Sequence, residues 1–119
     1  FVDTKKMGGL QQQFYELRGE VDKVVQTMNS LRKDNRFDEL ATYRANYQGV
    51  TNIKGQVRAI ERYLAHWRTR RDRIMARDDI SVIVKSDLIR DLELDRDQRL
   101  AFVPELRKRA NIPVVQGFL

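Results

Sequence analysis

The sequence has no cysteine, which excludes disulfide frameworks and thiolate metal sites. It has one histidine, His66, with no second soft ligand nearby, so an imidazole-held metal is not expected and no cofactor is implied. A Gly-rich phosphate loop is missing too, and Ser81 and Ser86 have no partnered base. No apolar run approaches the roughly 20 residues needed to cross a bilayer, and no signal-peptide pattern opens the chain. A stable membrane span is therefore not expected, nor is an enzyme. Proline is scarce: only Pro104 and Pro113 occur, so long stretches are free to be helical.

What is present favours helix. Charged residues make up 34% of the 119 and hydrophobic ones 41%, a balance suited to amphipathic helices. Leu10, Phe14, Leu17, Val21, Val24, Met28 and Leu31 alternate in steps of four and three, a heptad seam that predicts a helix over about 10–34. Gly8 and Gly9 just upstream suggest looser order before it. Asp34-Asn35-Arg36 reads as a tight link with Asn35 as N-cap of a second helix, about 37–77. Its apolar line runs Leu40, Tyr43, Tyr47, Val50, Ile53, Val57, Ile60, Leu64, Trp67 and Ile74. Tyr47–Val50–Ile53 takes two successive steps of three, a stammer bracketed by Gly49 and Gly55, where a bend or a close helix approach is expected. So short a link makes the two helices antiparallel neighbours. Leu17, Val21, Val24 and Met28 should then face the stretch 47–60.

Asp78-Asp79 reads as a turn, and Ser81 as the cap of a third helix carrying Val84, Leu88, Ile89 and Leu92. Whether that helix breaks at Asp95 stays open. Pro104 fits either a kink or the first turn of a last helix, Glu105–Ala110. The expected fold is all-α: a long antiparallel helical hairpin, one or two further helices, and an extended C-terminal tail. The expected organisation is a flexible lead-in over 1–9, a helical module over 10–110 and an apolar docking tail over 111–119. The chain opens on Phe1 rather than Met, which leads us to expect a fragment or a processed product.

The net charge of +6 comes from one stretch. Residues 54–77 carry eight bases against Glu61 and Asp72, and the flanking segments are close to neutral. At 100° per residue Lys54, Arg58, Arg62, His66, Arg70, Arg73 and Arg77 share one face, almost opposite the apolar seam. Such a ridge suits phosphates or an acidic protein surface, and an ordinary solvated helix face is the plainer alternative. No aromatic residue interleaves it, which disfavours single-strand binding. Asp87, Asp91 and Asp95 also share a face, but Arg90, Arg96 and Arg99 beside them point to a solvated row rather than acid–base chemistry. Asp95-Arg96-Asp97 fails as a calcium loop, since Arg99 and Leu100 stand where a ligand and a glycine belong.

The second helix outruns the first, so Leu64, Trp67 and Ile74 need cover from a third helix or another chain. Beyond Pro113, Val114, Val115, Phe118 and Leu119 form an apolar end that suits docking on a partner. These seven residues are the candidate protein interface, and Lys54, Arg58, Arg62, Arg70, Arg73 and Arg77 the candidate phosphate or acidic-surface contact.

One stretch resembles a known family. Met28-Asn29-Ser30-Leu31-Arg32-Lys33-Asp34-Asn35-Arg36-Phe37-Asp38-Glu39-Leu40-Ala41 looks like the helix–turn–helix junction "LRK-x-G/N-R-x-x-E-A" of very large phage and mobile-element proteins. The Arg-rich helix end Trp67–Arg77, the turn Asp78–Ser81 and the early Lys85 echo the order that follows it. Over roughly 14–100 the chain resembles the C-terminal helical region of the internal virion, or ejection, proteins of short-tailed phages. The resemblance implies a structural virion component in the virion interior near the portal or tail, found in the host cell envelope after ejection. It implies as partners the portal, the tail or further copies of the ejection protein in a homo-oligomer, with genomic DNA as an additional one. A helical nucleic-acid-binding module and a generic coiled-coil adaptor remain the alternatives.

Overall fold

The heptad seam of the first helix and the matching line in the second give each an apolar stripe that can be buried only against another helix. The structure, a computed structural model, describes residues 2–111, with side chains from Gly9 onward. The tail residues Val114, Val115, Phe118 and Leu119 lie outside the described residues. The described residues form five helices and no strand: α1 (Val2–Lys33), α2 (Phe37–Asn46), α3 (Gln48–Met75), α4 (Val82–Leu100) and α5 (Val103–Ala110). The all-α class and the two helices beyond the hairpin match the expectation. Helix α1 starts at Val2 rather than near Leu10, passing through Gly8 and Gly9 without a break.

The α1–α2 junction is set by Asn35, which adopts a left-handed conformation (φ 59°). The Asn35 amide donates to the Arg32 carbonyl (3.1 Å) and the Arg36 amide to the Leu31 carbonyl (2.9 Å). That pair of bonds is the Schellman motif, which closes a helix end and favours Gly or Asn at its left-handed position. Asn35 therefore ends α1 rather than capping α2. Arg36 occupies the N-cap, without a side-chain cap bond, and pairs with Glu39.

The expected single helix over 37–77 is two helices, parted at Tyr47 (φ −113°, ψ 28°), where the stammer begins. The reason for a glycine nearby is visible at Gly49. A Cβ there would overlap the backbone carbonyls of Arg109 and Ala110, so only glycine lets the end of α5 sit against the start of α3. Gly55 has no such neighbour.

Helix α1 runs antiparallel to α3. Arg18 meets Glu61 (3.1 Å) and the Arg68 guanidinium donates to the Tyr15 hydroxyl, so rising numbers on one helix meet falling numbers on the other. Phe14, Leu17, Val21, Val24 and Met28 are buried with Val50, Ile53, Val57, Ile60 and Leu64 in one continuous core. Helix α4 returns along α3 in the opposite sense, with Trp67 bonded to Leu92 and Tyr63 to Asp95. Ser81 caps it, its Oγ accepting from the Val84 amide (3.2 Å), and the helix continues unbroken through Asp95–Gln98. Pro104 lies in the first turn of α5, where a missing amide hydrogen costs nothing. Leu100, Val103, Leu106 and Ala110 close the core at that end.

Candidate functional site

Helix α3 is flanked by α1 on one side and by α4 and α5 on the other, which leaves one outward face. Lys54 is half-buried on it, and Arg58, Arg62, His66, Arg70 and Arg73 are exposed. The acids around this helix are engaged with other bases. Glu61 holds Arg18, Asp72 holds Arg71 (3.3 Å), and Asp79 holds Arg77 (2.6 Å). Among the described residues Lys54, Arg58, Arg62, Arg70 and Arg73 make no ion pair. The ridge thus keeps five uncompensated cations on a rigid helix. Arg77 belongs instead to the α3–α4 turn, where it hydrogen-bonds Asp79 through both Nε and a terminal nitrogen. That bonding holds the Asp79 carboxyl down to about 2.

Of the two covers expected for Leu64 and Trp67, a third helix or another chain, the fold supplies the first. Both are 3% exposed, covered by the chain itself. The Trp67 indole Nε1 donates to the Leu92 carbonyl (2.7 Å), and the Arg96 guanidinium lies over its ring at 4.7 Å. Arg71 stands 5.4 Å from the same ring. An anchor enclosed in this way has no free face for a partner. Ile74 is half-buried, and the remaining four interface residues fall outside the described part.

Arg96 was not legible as a core residue. It is 8% exposed, with Asp97 at 3.6 Å, too far for a hydrogen bond, and its Nε has no partner. It stands between Leu92 and Leu100 on the buried face of α4, where periodicity asks for an apolar residue. Its stem and flat guanidinium cover Trp67 in place of one.

Asp87, Asp91 and Asp95 are all exposed along α4. Asp87 lies 3.6 Å from Arg90, and Asp95 accepts a hydrogen bond from the Tyr63 hydroxyl. Burial, and then that bond, push the Tyr63 phenol up to about 12. No cluster of metal-ligating side chains occurs among the described residues.

The structure adds a surface that the sequence analysis did not single out. Val84 is 44% exposed, and Val82, Ile83 and Met75 are 77%, 75% and 58% exposed. Met75 and Val82 border one groove with Ile89 at the corner between α3 and α4. A signal for this surface was available. Three consecutive apolar residues at a helix start cannot all face one core at a period of 3.6.

The chain matches no family model, no curated protein and no solved structure.

Proposed function

We propose that the chain is a helical docking segment of a larger assembly, a structural part of a phage internal (ejection) protein that sits at the portal or tail and assists genome delivery. The observation that carries this reading is the exposed apolar corner of Met75, Val82, Ile83 and Val84. Single exposed apolar side chains are ordinary, but here Met75 and Val82 border one groove and Ile83 and Val84 are exposed beside it at the start of α4, and such a grouping at one corner marks a contact with another macromolecule. The resemblance of the 28–41 junction and the turn after Arg77 supports the placement among ejection proteins. The partners are then the portal, tail proteins or further copies of the same protein, in the virion interior before delivery and at the host envelope after it.

The test places Val82→Glu and Ile83→Glu together in the parent protein and measures incorporation into the particle. Both side chains are exposed, so the fold should melt within about 0.5 kcal/mol of the wild type, as surface substitutions do. Loss of incorporation with an unchanged melt is the expected result. Normal incorporation contradicts the docking role of the corner.

A further inference from the structure

We propose that the outward face of α3, formed by Lys54, Arg58, Arg62, Arg70 and Arg73, is a docking rail for the phosphate backbone of double-stranded nucleic acid. This goes beyond the assembly reading, which rests on the apolar corner, and either can fail without the other. Three observations carry it. The five cations have no acidic partner among the described residues, because Glu61, Asp72 and Asp79 are each engaged by a base outside the rail. Their charge is therefore available to an external anion and held by a helix that is packed on both flanks. Lys54 and Arg73 are nineteen residues apart, about 28 Å at about 1.5 Å per residue, approaching one turn of duplex at about 34 Å.

The chemistry of the face selects the ligand. Apart from its cations the face carries Ala65, Thr69 and the exposed His66, and no exposed Phe, Tyr or Trp: Trp67 is enclosed and Tyr63 faces α4. Single strands are gripped by stacking successive bases on several aromatic rings, and a lone imidazole does not supply that series. A stable protein contact adds a desolvated apolar or aromatic centre to its arginines, and the rail has no large apolar side chain to form one. A duplex backbone needs only spaced cations. Since α1, α4 and α5 flank α3, the rail lies across the phosphates rather than inside a groove, and binding is indifferent to sequence.

The experiment measures binding of a random-sequence DNA duplex, the same single strand and polyglutamate to the whole chain at several salt concentrations. Five phosphate contacts give a slope of log affinity against log salt of about −4.5, at about 0.9 per contact. Arg58→Gln, Arg62→Gln and Arg70→Gln together should flatten it by about 2.7. The triple Arg→Lys variant should keep the slope, and Arg32→Gln, Lys33→Gln and Arg44→Gln, which remove equal charge elsewhere, should largely keep it. The proposal is overturned by an unchanged slope in the ridge variant or an equal loss in the off-ridge variant. Polyglutamate or single strand bound as tightly as duplex would equally overturn it.

Discussion

At the residue scale, single substitutions at four positions expose the presence or absence of conformational and packing demands. Asn35 holds a left-handed backbone, where a β-branched side chain is strained and glycine is at ease. Asn35→Val should cost about 1–2 kcal/mol, and Asn35→Gly should be neutral or mildly stabilising, read by urea denaturation. Gly49 and Gly19 make an opposed pair. An added Cβ at Gly19 meets open space, so Gly19→Ala should stabilise by roughly 0.5–1 kcal/mol through helix propensity. The same change at Gly49 drives a methyl into the α5 backbone, and should destabilise by about 1–3 kcal/mol. Tyr63 provides the pH-dependent case. Its folded-state pKa of about 12 lies above its ordinary value of 10.0, so its contribution is complete below about 10 and is lost as pH rises towards 12. Phenolate absorbance should show one tyrosine titrating late, and Tyr63→Phe should remove that component. A late tyrosine persisting in Tyr63→Phe would reassign it.

At the scale of elements, helices were legible where apolar spacing was regular, and less so where a polar residue took an apolar role. The seam from Phe14 to Met28 is buried as its spacing required. The stammer at Tyr47–Val50–Ile53 marked the irregularity correctly, but spacing alone does not tell a bend from a break. The break needs the location of α5, which comes from distant sequence. Helix α4 was the least legible. Its buried face is Leu92, Arg96 and Leu100, and an arginine hides that periodicity from any apolar count. Its N-terminus was readable by chemistry: Ser81 caps it, and Lys85 reaches back to donate to the Met75 carbonyl (3.1 Å). Ser81→Ala should cost about 1 kcal/mol in a thermal melt. A melt identical to wild type would mean that the first turn of α4 is frayed in solution.

At the scale of the whole molecule, the apolar seam of the α1–α3 hairpin is completed from within, by α4 over Trp67 and by α5 at the opposite end. The candidate site was legible in part. The ridge could be read because long helices convert sequence spacing directly into a face. Whether a third helix or a partner covers Leu64 and Trp67 could not be read from the seam itself, since which helix folds back over it depends on the turn at Asp78–Ser81. Among the described residues, the surfaces left for contacts with other molecules include the apolar α3–α4 corner and the unpaired cations of α3.

Trp67 is the only tryptophan, which makes that closure directly measurable. Acrylamide quenching of its fluorescence in the monomeric chain should be weak, with blue-shifted emission, since the indole is 3% exposed and bonded to Leu92. Leu92→Asp, which places a carboxylate in that enclosure, should raise quenching and shift the emission red. A wild-type monomer whose tryptophan quenches like a free indole would contradict the account, because α4 would then not cover the seam.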